Sequence, residues 1–240
     1  MITLRKSNDR GHANHGWLES YHTFSFADYQ DPRFLGFKDL LVINEDIVQP
    51  GTGFGKHGHK NMEIITYIIS GELKHEDSMG NGSVLKPGQV QRMSAGKGIL
   101  HSEVNPSTTT PVHLLQIWIT PNQTGMPPSY EEKDFRASNV RNAWTLLVSP
   151  AEKTAPGALI MHQNAYLYAA KLEPKKSLTH TFESGRCGWL QVVHGPIEIA
   201  TSPSNTTTLN PGDGAAIENA SQLTITAQDD AEFLLFDLRA

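Results

Sequence analysis

A single cysteine, Cys187, stands in 240 residues, so no disulfide within the chain can staple the fold and no paired thiolates can build a structural zinc site. Basic runs are missing too. Lys and Arg number 20 against 25 Asp and Glu, a formal charge of −5. That balance leaves no electrostatic footprint for nucleic acid, and direct nucleic-acid binding is not expected. No apolar run approaches the roughly 20 residues of a membrane span. The opening Met-Ile-Thr-Leu-Arg-Lys offers no apolar core for a secretory signal. A cytoplasmic protein away from membranes is the expectation. A His-Glu-x-x-His run is also missing, which excludes two metal ligands on one helical turn.

What is present suits short strands. Twenty Gly and 14 Pro punctuate the chain, and a hydrophobic fraction of 38% suffices for packed cores in one large or two small domains. Two runs concentrate metal-binding side chains: Lys56-His57-Gly58-His59-Lys60 and Leu100-His101-Ser102-Glu103-Val104. Side chains alternate faces in an extended strand, so His57 and His59 share a side, as do His101 and Glu103. If the two strands lie in neighbouring walls of a barrel, three imidazoles and one carboxylate meet at one point. Such a set holds a divalent ion and leaves coordination positions open for a chelating substrate or dioxygen. Fe, Mn, Ni, Cu, Co and Zn all fit this donor set.

Other histidines read as structural. His12 and His15 have no acidic or thiolate neighbour in sequence, His22 reads as a hydrogen-bonded core or pocket-edge residue, and His75 beside Glu76 and Asp77 reads as solvated. His22-Thr-Phe-Ser-Phe26 alternates as a strand with Phe24 and Phe26 inward. Met62 to Ser70 is apolar on both faces and predicts a strand buried on both sides. Counted through without a bulge, Ile65, Tyr67 and Ile69 share the parity of His57 and Ile64, Thr66 and Ile68 face outward. Glu63 falls on the His57 side, where it reads as a support for a ligand histidine.

Residues 121–140 read as a polar, Pro-rich connector with one helical turn, and they divide the chain into residues 1–135 and 136–240. Sliding the chain on itself by 124 residues sets Gly71 on Gly195 and Pro87-Gly88 on Pro211-Gly212. A shared turn and a shared Pro-Gly at one separation indicate an internal duplication of a small β-barrel. The same shift carries His57 to Thr181, His59 to Glu183, His101 to Ile225 and Glu103 to Ala227, while aligning the last strands moves the second pair to Ala220 and Gln222. In either register the copy lacks the ligands, and the remaining His180 and Glu183 read as structural.

Gly51-x5-His57-x-His59-x3-Glu63 leading to Gly71, then Gly88 and His101-x3-Asn105, resembles the two motifs of the cupin superfamily, with Ser94 where a Pro is usual and His101 further downstream. Those departures, together with Arg10-Gly11-His12, Asp31-Pro32, Val42-Ile-Asn44 and Met93-Ser-Ala-Gly96 through Gly98-Ile-x-His101-x-Glu103, resemble the pirin-like branch, closely over residues 2–120. The resemblance implies an all-β bicupin of two tandem double-stranded β-helix (jelly-roll) barrels: a metal-binding cupin domain over 1–135 and a cupin domain lacking the ligands over 136–240. It implies one divalent ion, Fe(II) first, at His57, His59, His101 and Glu103. It also implies quercetin 2,3-dioxygenase activity, with a flavonol and O2 as substrates and CO released. Glu103 is the candidate base, with Glu63 as substitute. The alternative is a metal-bound regulatory protein that recognises a partner without turnover; a cupin sugar isomerase fits poorly with the aliphatic strand at 62–70.

Overall fold

A computed structural model describes residues 1–202 and 204–240. The chain is nearly all strand: β1 (Ile2–Arg5), β2 (Gly11–Asn14), β3 (Leu18–His22), β4 (Leu40–Val48), β5 (Gly53–His59), β6 (Glu63–Ser70), β7 (Leu73–Asp77) and β8 (Gly82–Leu85) open it. Next come β9 (Gln89–Ser94), β10 (Ile99–Val104), β11 (Val112–Ile119), β12 (Ser129–Asp134), β13 (Trp144–Pro150), β14 (Leu159–Met161), β15 (Tyr166–Leu172) and β16 (Ser177–Thr181). It closes with β17 (Arg186–His194), β18 (Ile197–Ser202), β19 (Asn205–Leu209), β20 (Gly214–Ile217), β21 (Gln222–Ala227) and β22 (Ala231–Arg239). Among the described residues no helix is long and apolar enough to cross a membrane.

Two compact units form, one from Gly11–Phe135 with Leu159–Gln163, the other from Met1–Arg10, Arg136–Ala158 and Asn164–Ala240. The division near residue 135 therefore comes with two exchanged segments. β1 pairs along β20, and the Ser7 amide donates to Asp213 (2.7 Å), which ties the start of the chain to the second unit. Residues 159–163 join the first, where the Asn122 amide donates to the His162 carbonyl (2.7 Å) and the Gln163 side-chain amide to the Thr120 carbonyl (2.7 Å). The stretch 121–140 is not merely a connector. Tyr130 and its neighbours extend into β12, which pairs with β9 and removes that strand's free edge.

The first unit has a large sheet, β12-β9-β6-β11-β4-β3-β2, and a smaller one, β5-β10-β7-β8. Side chains of Gln91, Thr66 and Gln116 on the large sheet bond Glu103 on the small one, so the two sheets face each other. Register orders the inner face of the large sheet into rows. Leu18, Val48 and Val112 align as an apolar row, packed with Leu73 and Leu85. Ser20, Asp46, Leu114 and Ile68 form the next, and His22, Asn44, Gln116, Thr66 and Gln91 a polar row across five strands. Val42, Trp118, Ile64 and Met93 complete the set.

This register inverts the parity expected for β6: Ile64, Thr66 and Ile68 face inward, and Glu63, Ile65 and Tyr67 face away. β5 and β6 belong to different sheets, and the turn through Asn61 (φ 50°) resets the alternation between them. β3 likewise stops at His22. The Ser25 amide turns to the Phe34 carbonyl (2.7 Å), and Phe24 is buried while Phe26 is only half-buried.

The second unit repeats the plan, with sheets ordered β1-β20-β17-β22-β15-β13 and β16-β21-β18-β19. Leu73 faces Leu85 in one copy and Ile197 faces Leu209 in the other, preserving the 124-residue offset. Gly71 and Gly195 take φ of 76° and 68°, and a Cβ on either would lie within 2.5 and 2.0 Å of a backbone carbonyl, so neither turn admits a side chain.

Candidate metal centre

β10 lies between β5 and β7, and register does the assembling. His101 faces His57 across one pair, Ile99 faces His59, and Glu103 faces His75 across the other. A Cβ on Gly53 would lie 2.3 Å from the Glu103 carbonyl, so glycine is what lets β5 approach β10 this closely. The ligand atoms of His57, His59 and His101 fall within 4.8 Å of one another, with the Nε2 atoms of His57 and His101 3.1 Å apart. His57 Nδ1 bonds the Gly55 carbonyl (2.7 Å), so a ring proton on Nδ1 leaves the lone pair of Nε2 facing His101.

Three imidazoles this close cannot all carry charge. Burial and the His57 ring lower the His59 pKa to about 4. Burial, then the His57, His59 and His75 rings, lower His101 to about 3. Neutral imidazoles are the form that binds a metal, and the buried Nδ1 of His101 has no hydrogen-bond partner. The residues present thus fit a divalent cation.

The ligand atoms of Glu103, His101 and His75 lie within 4.8 Å of one another, a second cluster that shares only His101 with the first. Gln91 donates to Oε1 (2.7 Å), Thr66 also donates to Oε1 (3.2 Å), and Gln116 donates to Oε2 (2.5 Å). Burial still pushes its pKa up to about 7, with the hydrogen bonds opposing and the charge of Asp46 adding to the rise. Glu63, expected behind a ligand histidine, lies on the opposite face of β6. Its carboxylate accepts from Ser94 Oγ (2.7 Å) and neighbours Arg92 and His162.

His75, read from sequence as solvated, is fully buried, with neither ring nitrogen hydrogen-bonded and the Asp77 carboxylate 3.5 Å from Nε2. It stacks on Tyr130 at 4.6 Å and lies 5.3 Å from the His101 ring. Its parity with Leu73, buried on the same face, was the available signal. His12 and His15 both line the adjoining cavity. His12 bonds Glu19 (3.1 Å) and stacks on Tyr21.

The imidazoles open into a cavity of about 450 Å³. Phe26, Tyr29, Phe54 and Trp118 supply its aromatic walls, while Ser20, His22, Asn44, Asp46 and Gln116 bring the polar rows to its surface. Trp118 meets His59 edge-on at 5.0 Å and Phe26 at 5.5 Å. A cavity of this size and lining takes a small aromatic molecule.

Burial raises Asp46 to about 6, opposed by its Ser20 hydrogen bond and reinforced by the charge of Glu45. Between the unfolded value near 4 and the folded value near 6, the folded chain keeps a proton that the unfolded chain releases. Stability is therefore lost as pH rises through that window, on the order of 1–3 kcal/mol in full above it. Asp46→Asn, whose amide oxygen can still accept from Ser20, is expected to be the more stable protein at pH 8, with the advantage vanishing near pH 4. Urea unfolding at both pH values checks this.

The second barrel shows what the fold requires without the site. Leu223 faces His180 as His101 faces His57, the Phe182 amide meets the Ser221 carbonyl as β5 meets β10 at His59, and Ile225 faces Ile199 as Glu103 faces His75. The counterparts of His57, His59, His101 and Glu103 are thus His180, Phe182, Leu223 and Ile225. The uniform shift of 124 misplaces all four, because Met93 and His101 stand 8 residues apart while their register counterparts Ile217 and Leu223 stand 6 apart, and the offset slips again across the β5–β6 turn. His180 is bonded to Asp237 (2.8 Å), and Glu183 is exposed. The polar row becomes Leu146, Tyr168, Leu235, Leu190 and Ala215.

Known proteins resemble this chain along its length. The Pirin family matches residues 3–119, and the quercetinase C-terminal cupin domain matches residues 146–238. A protein of Escherichia coli K12 named quercetin 2,3-dioxygenase is 47% identical over 238 residues, covering 99% of both chains. The crystal structure of the bacterial pirin YhhW from Escherichia coli in complex with nickel(II) superposes with a TM-score of 0.92 at 46% identity, covering 100% of this chain and 99% of the other. A quercetin 2,3-dioxygenase structure from Acinetobacter baumannii, at 20% identity and a TM-score of 0.76 over 99% and 85% of the two chains, shares the fold.

Proposed function

The chain belongs to the pirin family, and on that premise we propose that it is a metal-dependent dioxygenase that opens quercetin or a related flavonol with O2 and releases CO. The observation that carries this reading is the convergence of three imidazoles on one wall of an aromatic-lined cavity of about 450 Å³. His57, His59 and His101 would hold one divalent ion, with Glu103 as the fourth ligand. Fe(II) is the first choice; nickel is what the similar crystal structure contains. Bound there, the ion supplies Lewis acidity toward the flavonol 3-hydroxyl and open positions for substrate and dioxygen.

The chain's own residues do the rest. Glu103 takes the proton of the 3-hydroxyl on a carboxylate oxygen, and Gln91, Thr66 and Gln116 fix the direction from which it does so. Glu63 has no part in this, since it faces away. Phe26, Phe54 and Trp118 surround the flat rings and exclude water from the developing anion.

Quercetin absorbance should fall in air, with CO evolved, and both changes should stop under argon or after chelation. Metal-loaded protein that binds quercetin yet evolves no CO in air would contradict turnover and favour a regulatory role.

A further inference from the structure

The cavity carries a second buried carboxylate that the chemistry at the imidazoles leaves unused. Asp46 is 2% exposed and lines the cavity from β4. Ser20 Oγ donates to its Oδ1 at 2.5 Å. Among the described residues Oδ2 receives no hydrogen bond. Asp46 lines the cavity, so Oδ2 keeps its acceptor capacity for a donor that enters there. The fold does not demand the charge, because the second barrel places Ala170 at this register position, inside an apolar core.

Its placement sets the geometry of what it would meet. Asp46 lies two residues along β4 from Asn44, and Asn44 faces Gln116, the donor to Glu103. One pleat repeat along a strand and one step across the sheet put Asp46 roughly 8 Å from Gln116 by backbone geometry. Asp46 and Gln116 stand in adjacent rows of the sheet's inner face, so a ligand held at Glu103 and at Asp46 spans two rows.

We propose that Asp46, seated by Ser20, is a second recognition point for the substrate. Its free Oδ2 accepts a hydrogen bond from a phenolic hydroxyl remote from the metal, so the site selects polyhydroxylated aromatic enols over those carrying only the chelating pair. A carboxylate there also rejects anionic substituents at that end. This assignment rests on the flavonol reading of the cavity and deepens it.

The test compares quercetin, which carries further hydroxyls, with 3-hydroxyflavone, which carries only the 3-hydroxyl beside its carbonyl. Metal-loaded wild type, Asp46→Leu and Asp46→Asn are each measured for kcat/KM on both compounds and for equilibrium binding by tryptophan quenching, Trp118 lining the cavity. Metal content and melting curves check the fold, and the milder Asn variant stands in should the Leu variant not fold. Wild type should prefer quercetin, and the preference should fall about tenfold or more in Asp46→Leu and less in Asp46→Asn. An unchanged preference in either folded variant, equal weakening of both ligands, or a wild type that binds neither overturns the assignment. Discrimination in binding that depends on Asp46, without oxygen consumption, supports this site while contradicting the dioxygenase reading. Turnover of both compounds with no dependence on Asp46 does the reverse.

Discussion

His101→Leu should fold and melt normally, retain no metal through gel filtration and show no flavonol turnover. His101 is the buried centre of the cluster, adjoining the His57, His59 and His75 rings, at 4.4, 4.9 and 5.3 Å. Removing it leaves His57 and His59 on a single strand, with nothing from β10 but Glu103 to complete the set. Losing a direct ligand should exceed the 10- to 100-fold penalty typical of an outer-shell change in a metal site, so affinity should fall by more than about a hundredfold. The fold should survive because the second barrel already carries Leu223 at this position, at no exposure to solvent. Metal analysis beside a melting curve separates the outcomes: an unfolded variant says nothing, whereas a folded one with full metal and full activity contradicts the ligand assignment.

Gln116→Leu should produce the next largest effect, although Gln116 is not itself a ligand. Its side chain donates to Glu103 Oε2, and Leu235 is its counterpart in the second barrel. Without that donor the buried carboxylate keeps only Gln91 and Thr66, both at Oε1, and its charged form is disfavoured further. Metal affinity should drop about 10- to 100-fold, and adding Gln91→Ala, which copies the second barrel's Ala215, should lower it again. Competition against a chelator of known affinity measures both. Equal affinity in the double variant would show that the polar row serves packing alone.

How much of this could be read from the residues depended on distance along the chain. The two short runs were legible because alternation acts locally: His57 with His59, and His101 with Glu103, need only an extended backbone. Duplication was legible at Gly71 and Gly195, where a backbone carbonyl leaves no room for a side chain. Parity across a turn was not. Thr66 reads as outward-facing when counted through from His57, yet it faces Glu103, because the Asn61 turn moves the chain from one sheet to the other. The polar row was equally hidden, since Gln91, Thr66, Gln116, Asn44 and His22 come from five strands and meet only through register. His75 was misread because Glu76 and Asp77 suggest a solvated turn, while alternation with Leu73 places it inside. Asp46 carries no local mark at all. Its position depends on Ser20, 26 residues away, and on the cavity beyond it.

The most direct test of the account is an oxygen-electrode titration of metal-free protein with Fe(II) in the presence of quercetin. Uptake should be absent at the start, rise in proportion to added metal and reach a plateau at one equivalent per chain. Uptake that is already maximal without metal, or that climbs past one equivalent with no break, would contradict a single ion held by His57, His59 and His101.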